Sequence, residues 1–186
     1  MNRRANSAAD NSCWAEPGRS FCVSGPGTAA AAAPAVASGK SGVAALEAAD
    51  PSFDEQAFLA GARGAFEIIV KAFAAGDTAT LERLLNKDVF AAFAQAIHGR
   101  EAARETLETQ LVGLKAVELA EASIEGAAGL VTVKIVSDQI NVTRAADGKV
   151  VEGDPDKPVE KTDFWTFSRV LRSRDPNWTL VATHSP

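Results

Sequence analysis

Large apolar side chains follow a helical spacing after residue 50, at Phe58, Ala62, Phe66, Ile69 and Phe73. Positions three or four apart lie on one face of an α-helix, so this spacing predicts a long amphipathic helix. Ser52 with Glu55 three residues later is typical of a helix start, and Gly76 is typical of a helix end. We therefore expect a helix that begins near residue 52 and ends at residue 75.

Three shorter helical patterns follow this helix, over residues 78–85, 88–97 and about 100–111. In the last of them the apolar side chains of Ala103, Leu107 and Leu111 are four positions apart. The first half of the region is therefore predicted to be helical.

The pattern changes after residue 115. Residues 115–125 alternate weakly, 130–143 are rich in Val, Ile and Thr, 161–172 favour a strand, and 178–183 close the chain. Short stretches rich in Gly, Pro, Asp and Asn separate these segments. Connections this short join antiparallel strands, because a parallel pair needs a longer crossover. We predict an α+β fold in which N-terminal helices pack against a curved antiparallel sheet of about four strands.

One predicted strand changes phase along its length. Val131 and Ile135 share one face, whereas Val136 and Val142 fall on the opposite parity. A strand needs an extra residue to turn both sets inward, so we expect a β-bulge or a sharp coil of the strand near residues 136–139. Such a bulge would curve the sheet around a helix.

Residues 1–50 differ in composition, because Ala, Gly, Ser and Pro dominate and large aliphatic side chains are few. Such a segment buries too little apolar area to offset its ordering entropy. We predict a disordered tail or linker over 1–50, with 28–36 as a flexible spacer, and one folded domain over 51–186. Cys13 and Cys22 lie in the predicted tail, and we expect no role for them.

The chain has 24 acidic and 19 basic residues, for a formal net charge of -5. The charges of residues 1–50 balance, so the net charge belongs to residues 51–186. An acidic domain is a poor match for phosphate backbones, so nucleic acid is not an expected partner. Two Cys cannot make a disulfide framework and two His are too few for a His-rich zinc site, so no metal or cofactor is expected.

No catalytic motif is present, since the sequence has neither a nucleophile elbow nor a phosphate-binding glycine loop. We therefore expect a protein that is not an enzyme. Asp138, Asp163 and His184 are the residues that an acid–base site inside a pocket would use. The alternative is therefore a small apolar-ligand-binding or isomerase-like protein with an acidic residue in its pocket.

Several segments resemble the Tim44-like domain family, which includes bacterial relatives of the mitochondrial import inner-membrane translocase subunit that tethers the import motor. The matching segments are 53–63, 108–113, 136–143, 151–156, 162–169 and 174–178. The most specific of them are the sequences WTFSR at residues 165–169 and DPNW at residues 175–178.

The resemblance implies a cone-like α+β fold similar to the nuclear-transport-factor-two-like group, in which the sheet wraps the helices around an apolar pocket. It also implies a non-enzymatic, membrane-associated adaptor in protein transport. The expected partners are inner-membrane proteins or anionic lipids, at the cytoplasmic face of a bacterial inner membrane. Bacterial relatives usually begin with a membrane span, and the given sequence lacks about 20 consecutive apolar residues, so as it stands it is expected to be soluble.

Seven apolar residues are candidates for the lining of that pocket, able to hold an acyl chain or an apolar peptide side chain. They are Phe66, Ile69, Phe73, Phe90, Val133, Trp165 and Phe167. The same residues would fill the core if the cone were not hollow, and the sequence leaves both possibilities open.

Three arginines near the end of the chain, Arg169, Arg172 and Arg174, are candidates for contacts with lipid phosphates. Clustered arginines near an anionic membrane surface each contribute about 1 kcal/mol. The other interpretation is a solvated face, which the acidic net charge favours.

Overall fold

The computed structural model describes residues 11–16, 19–24 and 39–186, with side chains from residue 42 onward. In these ranges the helices are α1 (Gly39–Ala49), α2 (Glu55–Ala75), α3 (Thr78–Leu84) and α4 (Lys87–Ala103). The strands are β1 (Asn11–Glu16), β2 (Arg19–Ser24), β3 (Thr106–Glu125), β4 (Ala128–Arg144), β5 (Val150–Glu152), β6 (Val159–Val170) and β7 (Thr179–His184).

Two antiparallel sheets are formed by the described residues. Strands β1 and β2 pair with each other, and the larger sheet has the order β3-β4-β6-β7, with the short β5 paired to β4. The predicted α+β class with an antiparallel sheet is confirmed. The larger sheet has five strands rather than about four, because β5 adds a short pairing beside Thr143 and Arg144.

Helix α2 confirms the predicted apolar face, since Phe58, Ala62, Phe66, Ile69 and Phe73 are all buried. Its end at Gly76 is also as predicted, with the glycine in the left-handed region at φ 71°. The N-cap differs from the prediction. The Asp54 carboxylate accepts a hydrogen bond from the Ala57 N–H at 2.6 Å, whereas the Ser52 hydroxyl donates to Asp50.

The prediction of separate helices over 88–97 and 100–111 was wrong. Helix α4 is continuous to Ala103 and is ended by Arg104 in the left-handed region at φ 56°. Leu107 and Leu111 lie in β3, where exposed and part-buried residues alternate. A spacing of four residues fits both a helix and a strand, since every second strand residue also lies on one face.

The predicted bulge lies beside the expected place, but on the neighbouring strand. Strand β4 alternates regularly to Gln139, and the register shifts fall in β3, between Leu111 and Gly113, Leu114 and Ala116, and Leu119 and Glu121. The first two shifts oppose residues 136–139 of β4. The extra residues therefore belong to the edge strand, where bulges also hinder pairing with another chain.

The helices cover one face of the larger sheet, which we call the core face. Val131, Val133 and Ile135 of β4 and Trp165 and Phe167 of β6 lie on it and are buried. The opposite face, here the outer face, carries the alternate residues of both strands. This two-layer arrangement leaves the outer face without a covering helix in the described part of the chain.

Helix α1 differs from the predicted tail. Its Val43 and Leu46 are buried in the core, and Gly42 lies directly against the backbone of Ala122 in β3. The folded region that the structure describes therefore includes residues 39–49, before the predicted boundary at residue 51. The first two strands also lie in the predicted tail, whereas the predicted spacer over 28–36 is outside the described residues.

Candidate partner-binding surface

The seven residues predicted to line a pocket lie together in the hydrophobic core. Six are buried and Phe90 is packed against them. The rings of Phe66 and Trp165 are 4.8 Å apart between centroids, and those of Trp165 and Phe167 are 6.4 Å apart. These are core packing contacts. A ligand-binding role for the seven residues remains a prediction.

Two of the three candidate arginines hold helix α1 to the sheet. An Arg169 guanidinium nitrogen lies 2.5 Å from an Asp50 carboxylate oxygen, and their side chains are 9% and 3% exposed. Arg172 donates its backbone N–H to Asp50 and its Nε–H to the Ala49 carbonyl. Arg174 is exposed. Lipid binding by these arginines also remains a prediction.

Asp50 is the centre of this attachment. Hydrogen bonds from Ser52 and from the Arg172 backbone N–H, together with the Arg169 charge, hold the pKa of Asp50 well below its usual range. Arg169 also lies over the Trp178 ring, with Cζ 5.2 Å from its centroid. Asp50 therefore remains ionised and joins the end of α1 to the end of β6.

A second polar group is buried on the core face. The Asp163 side chain accepts a hydrogen bond from the Ser185 hydroxyl at 2.5 Å, and burial raises the pKa of Asp163. Nearby on β4, the Gln139 amide donates to the Ser137 hydroxyl at 2.8 Å. A buried carboxyl with a raised pKa is able to hold a proton more readily than an exposed one.

The other residues considered for acid–base chemistry lie elsewhere. Asp138 is on the outer face, where it pairs with Lys115 at 2.9 Å. His184 is exposed and lies beside the Phe164 ring, at 6.4 Å between centroids. The structure therefore does not bring a histidine of this set to Asp163.

The described residues form a groove of about 410 Å³ at the far end of the outer face. Its lining consists of Glu108, Thr109, Gln110, Ile140, Val142 and Pro155. Val142 is buried there although it lies outside the main core. We call this feature the Pro155 groove.

The loop after β5 lies close against the backbone of β4, and this contact shapes the Pro155 groove. Gly153 has φ 87°, and a Cβ atom there would lie 2.0 Å from the Asn141 carbonyl oxygen. Only glycine fits this position, because the left-handed backbone and the contact both exclude a side chain. The loop is thereby held over β4, with Pro155 beside Val142.

Exposed apolar and acidic side chains lie close to Pro155 in the chain. Val150, Val151 and Val159 are exposed, with Val151 at 56%. Glu152 ends β5 and Asp154 and Asp156 lie in the loop after it, and within the described residues none of these three forms an ion pair. We call these three side chains the acidic rim.

Sequence reasoning singled out residues 151–156 but assigned them no role. The signal was two adjacent valines followed by alternating acids in a polar loop. Isolated exposed valines are common, so the sequence pattern by itself gave them no functional meaning.

Metal chemistry has no support in the part of the chain that the structure describes, since no group of three or more His, Cys, Asp or Glu there could hold an ion. Among the same residues, no helix has the length and apolar content needed to span a membrane.

A family model described as "Tim44-like domain" matches residues 39–185, from the first residue of α1 to the residue that donates to Asp163. The chain belongs to the Tim44-like domain family. This Tim44-like domain includes Asp50 with its contacts to Arg169 and Arg172, the buried Asp163, and the Pro155 groove.

A curated relative is the probable mitochondrial import inner membrane translocase subunit tin-44 of Caenorhabditis elegans, 32% identical over 81 residues. The match covers 42% of this chain and 19% of that protein, so the chain spans only about a fifth of the relative's length. A distant structural match is the intermembrane space region of the chloroplast protein ARC6, with a TM-score of 0.49 and 11% identity. It covers 73% of this chain and 98% of that one.

Proposed function

We propose that this Tim44-like domain is a non-enzymatic adaptor that docks a protein partner at a membrane, with the Pro155 groove as the docking surface. The observation that carries the proposal is the family membership, together with the relative that is named as an inner membrane translocase subunit. By the same relationship we propose that the protein works at an inner membrane, the cytoplasmic face of a bacterial one by resemblance.

The partner that fits the groove is a basic, apolar protein segment. The exposed valines offer apolar contact area, and the acidic rim adds three carboxylates without ion pairs among the described residues. Complementary charge steers binding and selects against acidic segments. The groove lining itself is mixed, with Ile140, Val142 and Pro155 beside Glu108, Thr109 and Gln110, so it offers both apolar contacts and hydrogen-bonding groups.

Anionic lipids are a weaker match for this surface. The acidic rim repels phosphate groups, the Arg169 side chain is buried in its ion pair with Asp50, and the exposed Arg172 donates its Nε–H to the Ala49 carbonyl. We therefore favour membrane association through a protein partner over direct contact with lipid headgroups.

The test uses a defined probe, a synthetic amphipathic peptide of about 20 residues with alternating arginine and leucine clusters. We expect the full chain to bind it, and the triple variant Glu152→Gln, Asp154→Asn and Asp156→Asn to bind at least about tenfold more weakly. Fluorescence anisotropy at low and high salt measures both affinities. Binding should weaken with salt, because exposed charges are screened.

The matched control neutralises three acids away from the groove, as Glu47→Gln, Glu82→Gln and Glu101→Gln. It changes the net charge equally and should bind the peptide like the parent chain. Equal weakening by both triple variants would show a nonspecific charge effect and reject the groove. Stronger binding to anionic phosphatidylglycerol vesicles than to the peptide would favour the lipid interpretation instead.

A second candidate function rests on Asp163. Its carboxyl is 7% exposed, and burial raises its pKa, which are properties of carboxyl groups that donate or take up protons in apolar pockets. The alternative is therefore a small apolar-ligand-binding or isomerase-like protein that uses this residue.

We expect Asp163→Asn to be more stable than the parent at pH 7. The raised pKa means that the folded state prefers protonated Asp163, so its stabilising contribution is present at low pH and is lost as pH rises through the folded pKa. Asparagine cannot ionise, so its variant does not lose stability as pH rises, and its amide oxygen can still accept the hydrogen bond from the Ser185 hydroxyl. Urea unfolding at pH 4 and pH 7 measures the difference, which should shrink at pH 4.

Asp138→Asn is the control, since this carboxylate lies on the outer face with Lys115. A stabilised Asp163→Asn chain would indicate a residue retained at a cost in stability, as in functional sites. A chain destabilised at pH 7 by this change would mean that the ionised carboxylate is structural, which argues against the second candidate.

A further inference from the structure

The outer face of the larger sheet carries few charges on its two central strands. Strands β4 and β6 pair from Leu130 with Ser168 to Asp138 with Glu160. Between these ends six part-buried side chains face outward, and we call them the outer patch: Thr132, Lys134, Val136, Thr162, Phe164 and Thr166. A sheet face that is in contact with water usually carries more polar residues than this, so the composition of the outer patch favours a face that another surface covers.

A hydrogen bond at the centre of the outer patch lowers the cost of covering it. Thr132 and Thr166 are directly opposite each other, and their hydroxyl oxygens are 2.9 Å apart. Buried polar groups without a partner are costly, whereas these two hydroxyls already bond to each other. The centre of the patch is therefore suited to burial against an apolar surface.

The extent of the outer face is sufficient for a stable interface. The paired stretch of β4 and β6 is nine residues long, and β3 and β7 flank it. With a rise of about 3.4 Å per residue and a spacing of about 4.8 Å between strands, four strands present about 600 Å². Two such faces bury about 1,200 Å² together, which is the lower limit for specific protein interfaces.

Charges of both signs identify the partner that fits this face. Lys134 lies opposite Glu118 of β3, and Glu121 of β3 lies opposite Thr132. Within residues 42–186, where side chains are described, Lys134, Glu118 and Glu121 form no ion pair. A purely basic or purely acidic partner would leave one sign unmatched, whereas a second copy of the chain offers both.

We propose that two copies of this chain associate through their outer patches, with the sheets packed face to face about 10 Å apart. In such a symmetric interface Lys134 of each copy meets Glu118 and Glu121 of the other, because each contact occurs twice. The Pro155 groove lies farther along β4, at Ile140 and Val142. The association does not rest on the proposed adaptor function, so its failure would leave that function untouched.

The first experiment measures the mass of the full chain by analytical ultracentrifugation over about 1–200 μM, in about 0.15 M salt, where exposed charges are screened beyond about 8 Å. We expect a concentration-dependent dimer. Thr166→Arg should raise its dissociation constant at least about hundredfold, because it places an unpaired cation at the centre of the interface. Urea unfolding checks that this variant is folded. Ile68→Arg is the control, since Ile68 is 49% exposed on α2, in the helix layer, and its dissociation constant should match that of the parent.

The second experiment exchanges charges on the outer face and does not depend on Thr166. Lys134→Glu should raise the dissociation constant at least about tenfold, because acids then face acids across the interface. Adding Glu118→Lys to this variant should restore most of the affinity, which a role within one copy alone would not produce. A parent chain that stays monomeric at about 200 μM, equal weakening by Ile68→Arg, or no recovery in the double variant would overturn the proposal.

Discussion

Replacing Phe66 by alanine is expected to lower the free energy of unfolding by about 3–5 kcal/mol, as is typical when a fully buried aromatic ring is removed from a core. Phe66 has no exposed surface and contacts Trp165 on the opposing sheet. The substitution removes the contact between α2 and the sheet at its centre. Urea unfolding followed by tryptophan fluorescence measures the loss.

Ile68→Ala is the control on the same helix, because Ile68 is 49% exposed and faces away from the core. It should change the stability by no more than about 0.5 kcal/mol. The comparison also bears on the predicted pocket. A small decrease in the free energy of unfolding of Phe66→Ala would contradict a tightly packed core and would favour an open cavity lined by this residue.

Replacing Gly42 by alanine is expected to cost about 1–3 kcal/mol through overpacking. A Cβ atom at Gly42 would lie 2.0 Å from the Ala122 carbonyl oxygen, and backbone offers no side-chain rotation to relieve the contact. Helix α1 must therefore move away from β3. Urea unfolding measures the loss, and hydrogen exchange of the α1 amides measures the release of the helix.

Gly61→Ala is the matched control, since it is the same substitution inside helix α2 with no neighbouring atom within 4 Å of the added Cβ. Alanine is favoured over glycine in a helix by about 0.5–1 kcal/mol, so this variant should be more stable than the parent. The two substitutions thus have opposite expected signs. Stabilisation by both would show that α1 is not packed closely against β3.

Much of the fold could be predicted from the sequence because its local patterns agree with the final packing. The helical spacing from Phe58 to Phe73 gave the buried face of α2, and Gly76 gave its end. Short turn-rich connections gave the antiparallel sheet. The segments around WTFSR and DPNW gave the family, which the match over residues 39–185 confirms.

Other elements had ambiguous local patterns. Leu107 and Leu111 are four residues apart, which fits a helix and a strand equally, and their pairing with Thr143 and Gln139 decides for β3. Among the residues of α1 whose side chains are described, Val43 and Leu46 are the buried apolar anchors, and the composition around them resembled a linker. Its packing depends on Ala122 and on the Asp50 contacts with Arg169, 119 residues away in sequence.

For the candidate sites, too, the sequence identified some residues and the packing decided which of them are buried. The sequence selected Asp163 as a possible pocket acid, and the fold buried it while leaving Asp138 and His184 outside the core. The Pro155 groove had no local signal strong enough to assign it a role. It exists because the loop after β5 folds back onto β4 at Gly153.

By itself, the sequence determined the fold class, the main helix, the antiparallel sheet and the family, because each follows from periodicity, turn chemistry or recognisable segments within a short range. The tertiary structure decided that residues 39–49 form a helix packed on the sheet, which strand carries the bulges, and which acid is buried. These features depend on contacts between residues far apart in the chain, which no local pattern specifies.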